Sequence, residues 1–333
     1  MNSRRILVWT VMTVVLLVLA GARAGFAESE NVFKMAYVAP PPVWGPVAEK
    51  YAQIIAQKTN NQFEIKTFGG GQLGTLPQNF AGIKTGQIDM MLNDSGAFSL
   101  AKGGKDFNIL MAPYLFRDQD HLRKFLQSPL FKEMIANTEK EGGFHLVGYV
   151  SDRAPKQIST STRRIAKVED LKGLKIRVPE TKTIMETMKF WGAAPTPVSG
   201  AELYMALKQG VVDGQDNGFD TIAQAKFYEV QKYVAVVDYI RAGLVVLMGM
   251  EQWNKLNADQ KKAFEEAAVE TEKWATKWTN DTVEQSIDFL KKQGIEIVSP
   301  DLDGFKKLAA EANLKFEGDL WEKGLYEKIQ AIK

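Results

Sequence analysis

Residues 80–91, FAGIKTGQIDMM, and residues 204–215, YMALKQGVVDGQ, write one pattern twice. Each begins with an aromatic residue, runs to Lys-x-Gly, adds a β-branched apolar residue and then Asp. The matching positions are Lys84, Gly86, Ile88 and Asp89, then Lys208, Gly210, Val212 and Asp213. A glycine just past a helix stops it, because glycine enters the left-handed region without steric penalty. Each copy therefore predicts a helix, a tight stop and a buried strand. Each strand then breaks into polar residues, Asn93-Asp94-Ser95-Gly96 in the first copy and Asp216-Asn217-Gly218 in the second. Two like α/β units with polar strand ends predict two lobes facing a cleft, an arrangement suited to holding a small ligand. Helix–Gly–strand junctions recur throughout α/β proteins, so chance also fits the repeat alone.

The first residues constrain the compartment. Arg4 and Arg5 precede an uncharged apolar run from Ile6 to Ala22, and small residues follow at Ala22-Arg23-Ala24 and Gly25-Phe26-Ala27. Basic, apolar and small segments in that order predict a secretory signal peptide over residues 1–27. A permanent anchor is the rival reading, and the small-x-small ending favours cleavage after Ala27. Removing residues 1–27 takes away Arg4, Arg5 and Arg23 and no acid. The 42 basic residues become 39 against 40 acidic ones, and the net charge moves from +2 to −1. That balance predicts no nucleic-acid surface. With no Cys the chain has no disulfide, thiol nucleophile, thiolate metal site or lipid anchor at the cleavage point. Two His, His121 and His145, far apart in sequence, read as ordinary surface or core residues and do not suggest a His-rich metal site; no metal and no cofactor are expected.

Val32 to Val38 reads as a first strand, Pro40 to Pro42 as an extended loop and Pro46 to Lys58 as a helix. Phe63–Phe68 is a strand, Pro77–Thr85 a helix and Ile88–Leu92 a buried strand. Phe144–Val150 is a strand leading to a crossing between lobes at Ser151-Asp152-Arg153, and a second crossing is expected near Tyr239 to Leu247. Val168–Gly173 reads as a helical turn, Leu174–Val178 as a strand and Thr181–Phe190 as a helix. From Asn257 as N-cap to Lys292, with Gly294 beyond, nothing breaks a helix. About 35 residues at ~1.5 Å each span roughly 50 Å, more than one lobe. The helix must then bridge both lobes, unless it bends near Asn280-Asp281 into two. Its Trp stripe reads as core packing.

Arg177 is the residue whose placement needs explaining. It interrupts a strand otherwise made of Leu174, Ile176 and Val178, on the opposite face from the last two, and Pro179 ends the strand. Ligands bind beyond the carboxyl ends of strands in open α/β sheets, and a guanidinium forks onto a carboxylate. A surface ion pair is the alternative. Asn217, on a loop dense in turn formers, could donate to the same anion or simply make an Asn-Gly turn. Asp94, at the matching place in the other unit, could accept from a hydroxyl or amine. Lys156 and Arg153 add positive charge past the first crossing, or are merely solvated. Gly69-Gly70-Gly71-Gln72-Leu73-Gly74 fits a dinucleotide-binding glycine pattern, with Asp94 in the acidic position. Pro77 in the following helix, the motif's place after the second strand and an exported chain all weigh against it. No G-x-S-x-G and no Ser/His/Asp set is evident.

These residues resemble the periplasmic solute-binding proteins of TRAP transporters, the DctP-type family. The resemblance spans essentially the whole mature chain. Its most specific stretches are Glu169 to Pro179 (EDLKGLKIRVP), Ala194-Pro195-Thr196-Pro197, Gln209 to Asn217 (QGVVDGQDN) and Lys226 to Val230 (KFYEV). Gly71-Gln72-Leu73-Gly74 matches an early Gln-Leu-Gly turn of that family, which accounts for the glycine motif without a nucleotide. The resemblance implies an α/β, two-lobe periplasmic binding protein fold with crossing strands and a long bridging helix. The lobes expected are 28–151 with about 241–284, and 152–240 with about 285–333. It implies a receptor, not an enzyme, that closes on an organic carboxylate and works with the membrane subunits of a TRAP transporter. Arg177 falls on the family's carboxylate-pairing Arg and Asn217 on its polar loop residue; Asp94, Lys156 and Arg153 fall near further cleft positions. Trp44 is expected to wall the pocket. Three departures mark this chain: Asp216-Asn217-Gly218 where Glu-Asn-Pro is common, Val198-Ser199-Gly200 where a bulky aromatic often stands, and Glu180 at a spot often neutral. Glu180 facing the cleft would repel a second carboxylate and lean the ligand towards a monocarboxylate. A binding protein of another permease class, and an exported oxidoreductase or lyase, are the rival readings.

Overall fold

The computed structural model describes residues 31–333, so the leader expected over residues 1–27 lies outside the described residues. Both copies of the repeated pattern fold as the pattern dictates. Helix α1 (Pro41–Lys58) joins strands β1 (Asn31–Ala36) and β2 (Phe63–Phe68); helix α2 (Leu76–Thr85) then leads to β3 (Met90–Asp94). Gly86 stops α2 at φ 75°, and Gly210, at φ 69°, takes the same turn in the second copy. Asp89 accepts the Lys34 backbone N–H at 2.8 Å and Asp213 accepts that of Lys175 at 2.8 Å. The paired Asp thus ties the incoming strand to its parallel neighbour in both units.

Lobe I carries a sheet in the order β2-β1-β3-β10-β4. Strand β4 is Phe144–Asp152 and β10 is Gly243–Gly249, antiparallel to both β3 and β4. Lobe II carries the order β11-β9-β5-β8-β6-β7. Its strands are β5 (Gln157–Thr160), β6 (Lys175–Val178), β7 (Ala194–Pro197), β8 (Gly214–Asn217), β9 (Tyr233–Ala235) and β11 (Glu296–Val298). Read outward, β2-β1-β3-β10-β4 and β7-β6-β8-β5-β9 have the same plan: three parallel strands, then an antiparallel strand arriving from the other lobe, then the strand that leaves. The crossings therefore run from β4 to β5 and from β9 to β10. They are tied to each other, Arg153 N–H to Ala242 O at 3.0 Å and Lys156 N–H to Ile240 O at 3.1 Å.

Helix α1 starts a turn earlier than the proline cluster suggested. Pro41 and Pro42 occupy its first turn, where a missing N–H costs nothing, and only Pro40 is extended (φ −52°, ψ 140°). This puts Trp44 on the helix rather than after a loop. Helix α3 (Gln119–Gln127) and α4 (Pro129–Gly142) cover lobe I; α5 (Lys182–Phe190), α6 (Leu203–Lys208) and α7 (Phe219–Gln224) serve lobe II. After the short α8 (Met250–Lys255) comes α9, Ala258–Lys292, one unbroken helix capped by Asn257 with Gln260 as the reciprocal partner. Phe264, Ala267, Ala268 and Ala275 pack in the lobe I core, and Leu290 packs in that of lobe II. At mid-span Ser151 Oγ meets Thr279 Oγ1 at 3.1 Å, joining the first crossing to the helix.

The chain end divides differently from the expected boundaries. In α10 (Asp303–Phe316), Phe305 and Ala309 lie in a lobe II core, whereas Ala312 and Phe316 enter that of lobe I with Trp321 and Ile329 of the tail and α11 (Leu325–Gln330). Residues about 285–333 therefore do not belong to lobe II as a block. The tail is held on lobe I by polar ties: Arg117 donates to the Ile332 carbonyl at 2.6 Å, and His121 Nε2 meets the Ile329 carbonyl at 3.0 Å. His121 is a buried structural residue; burial draws its pKa below the ordinary value.

Candidate functional site

A cavity of about 370 Å³ lies between the lobes, beyond the carboxyl ends of β3, β6 and β8. Arg177, Asn217, Asp94, Lys156, Arg153 and Trp44 all line it. Strand alternation explains Arg177: Ile176 and Val178 are fully buried in the lobe II core, and the Arg between them points to the other face, 6% exposed. Its Nε donates to the Val198 carbonyl at 2.8 Å. Its terminal nitrogens bond to no acid among the described residues, so the forked edge of the guanidinium is uncommitted. Burial draws its pKa down, opposed by Asp216, Tyr239 and Glu180; an Arg starts from so high a value that it stays charged.

The other two cations are already paired. Lys156 Nζ lies 2.9 Å from Asp216 Oδ2, both side chains buried, and Tyr239 donates to the same oxygen at 2.5 Å. Burial pulls the Lys156 ammonium below its usual value, with Asp216 holding it up. Arg153 is ion-paired to Asp94 and stacks over Trp44, 5.1 Å from the ring centroid. Asp94 also accepts the Gly96 N–H at 2.9 Å. The expected free acceptor at Asp94 is thus a brace: it fixes Arg153, at the crossing, onto the end of β3. Asn93 and Asp94 are the last residues of β3, and Asp216 and Asn217 of β8, where polar loops were expected. The Asn217 amide donates to Gln215 Oε1 at 2.5 Å, and Gln215 to Ser159 Oγ at 2.7 Å, a buried chain beneath the cavity floor.

Glu180 lines the cavity at an exposed position. The glycine loop lines it too, through Gly71 and Gly74. At the start of the helix that follows it, Gln78 Oε1 already accepts the Thr75 N–H at 2.8 Å and Pro77 has no N–H, so two of the donors a pyrophosphate would use there are missing. Three participants escaped sequence reasoning: Asp216, Tyr239 and Asn93. Asp216 and Tyr239 come together with Lys156 only because both crossings pass the same point, and nothing local in the sequence announces it. Asn93 lines the cavity 1% exposed, and neither of its amide atoms has a partner among the described residues. A buried amide left so costs about 1–3 kcal/mol.

Two lobes of like topology, crossing strands and an interlobe cavity holding a buried guanidinium outside any ion pair among the described residues are the layout of a solute-binding protein. The chain belongs to the bacterial extracellular solute-binding protein family 7, DctP, whose pattern matches residues 35–319. It is 28% identical over 275 residues to the sialic acid-binding periplasmic protein SiaP of Vibrio cholerae, covering 82% of this chain and 84% of that one. Among solved structures it resembles a TRAP periplasmic solute-binding protein of Polaromonas sp. JS666 bound to D-erythronate. The TM-score is 0.84 at 28% identity, covering 91% of this chain and 99% of that one. A TRAP solute-binding protein of Ralstonia eutropha with bound (S)-2-acetolactate matches with a TM-score of 0.83 at 27% identity, covering 90% and 98%.

Proposed function

We propose that this protein is an extracytoplasmic receptor that closes on an organic carboxylate and delivers it to the membrane subunits of a TRAP transporter. The observation that carries the reading is the Arg177 guanidinium, buried in the cavity with no acid on its forked edge among the described residues. Arg177 takes the carboxylate in two parallel hydrogen bonds. Asn217 and Lys156 complete the anion's surroundings, Arg153 adds charge from the crossing, Asp94 holds Arg153 in place and Trp44 forms a wall. Relatives of similar length that hold D-erythronate or acetolactate support a small organic acid as cargo. The apolar segment of residues 6–22 supports export to the periplasm, with cleavage after Ala27. The acid favours the closed form through contacts it makes with both lobes at once.

Isothermal titration calorimetry tests this with acids identified by mass spectrometry of material released from the purified protein. Arg177→Lys keeps the charge and loses the fork. A charge-assisted bond worth about 1.5–3 kcal/mol corresponds to roughly a 10- to 150-fold loss of affinity. Unchanged affinity in the folded variant would remove Arg177 from the role.

A further inference from the structure

The cavity wall also restricts which acid fits. Most of its polar side chains are engaged with the protein itself, the exceptions among the described residues being the Thr75 and Thr181 hydroxyls, the Asn93 amide, the Glu180 carboxylate and the terminal nitrogens of Arg177. Gln78 caps α2, Asp94 holds Arg153 and the Gly96 N–H, and Lys156 holds Asp216. Asn217 donates to Gln215, Ser199 to Glu202 at 2.6 Å, and Thr221 bonds Asp220. A ligand with a hydroxyl on every carbon would lose its water and find few free partners in return, which is costly. Between these groups the wall is apolar, including Leu76, Met111, Ile184, Val198, Leu203 and Phe227. No aromatic follows Pro197, so that stretch offers a methyl-lined face rather than a ring for a sugar to stack on.

Charge narrows the choice further. Arg153 and Lys156 are neutralised by Asp94 and Asp216, which leaves Arg177 as the one lining cation outside an ion pair among the described residues. Glu180 is a lining acid with no ion-pair partner among them. One carboxylate therefore finds one free cation, and a second finds a like charge. The volume, about 370 Å³, is at the small end of the range for ligand pockets. Resting on the receptor reading above, we infer that the cavity selects a short acid with a single carboxylate and a largely apolar, branched body over dicarboxylates and polyhydroxylated acids.

Calorimetry with four probes tests the inference: 2-hydroxyisovalerate, 2-oxoisovalerate, succinate and D-galacturonate, each titrated into protein freed of carried-over ligand. The two branched acids are expected to bind at least ~10-fold more tightly than the other two. Glu180→Gln is expected to narrow the gap between 2-oxoisovalerate and succinate; a gap of the same size overturns the part given to Glu180. Succinate or galacturonate binding as tightly as the branched acids, and losing that binding in Arg177→Met, overturns the selectivity while the receptor reading stands. Binding by none of the four at millimolar concentration overturns the selectivity as well, and the acid released from the purified protein then judges the receptor reading separately.

Discussion

Lys156 and Asp216 show what a single buried charge costs at this site. Both side chains are out of water, and Tyr239 shares the carboxylate with the ammonium. Their mutual attraction roughly offsets the loss of hydration, so the pair itself adds little net stability. Removing one partner is another matter. Lys156→Met is expected to destabilise the protein by about 3–5 kcal/mol in urea unfolding, because Asp216 is left buried and uncompensated; adding Asp216→Asn should recover most of that loss. Asn93 predicts the opposite sign. Asn93→Leu removes an amide whose two polar atoms have no partner among the described residues and keeps the volume, so the unliganded protein should gain up to about 1–3 kcal/mol. A loss of stability without ligand would mean that the amide is satisfied in a way the geometry does not display.

At the scale of elements, α9 matters most, because one helix packs on β4 and α1 of lobe I and on α7 of lobe II. Its approach to β4 is set by Gly148, where an added Cβ would come 2.8 Å from Ala268 Cβ. Gly148→Ala is expected to cost about 1–3 kcal/mol by overpacking, and Ala268→Gly in the same chain should return part of it. A double-mutant cycle in chemical denaturation measures that coupling; strict additivity would mean the two sites do not touch. The existence of α9 was legible from its cap and its three-four spacing, since both are local. The early start of α1 was not, because Pro41 and Pro42 suit an extended loop as well as a first helical turn. Packing of Val43, Trp44 and Val47 into the lobe I core decides between them.

For the whole molecule, buried phenols set the alkaline limit. Burial pushes Tyr51, Tyr149 and Tyr239 above the ordinary tyrosine value, with Glu265, Asp152 and Asp216 respectively pushing the same way. An unfolded chain releases these protons near pH ~10. Above that pH the unfolded state binds fewer protons than the native one, so stability falls as pH rises. Lys156 acts with the opposite sign, since its folded value is lowered and the unfolded chain binds more protons up to about pH 10.4. Three phenols against one ammonium make the net slope negative. The midpoint of thermal unfolding should therefore fall steadily from about pH 10 upward, with tyrosinate absorbance appearing in the unfolding step itself. Absorbance rising well before unfolding would mean that the phenols reach solvent in the native state.

Sequence alone determined the units and the anion-binding candidate. The paired helix–Gly–strand patterns mark both lobes, because a turn and a strand face depend on a few neighbouring residues. Alternation turns Arg177 away from Ile176 and Val178 for the same reason. Three things needed the folded chain: the common plan of the two sheets, the commitment of Asp94 and Lys156 to partners 59 and 60 residues away, and the return of the tail to lobe I. Each depends on where the crossings bring distant segments together, and which charges are neutralised is a property of that meeting, not of any local stretch.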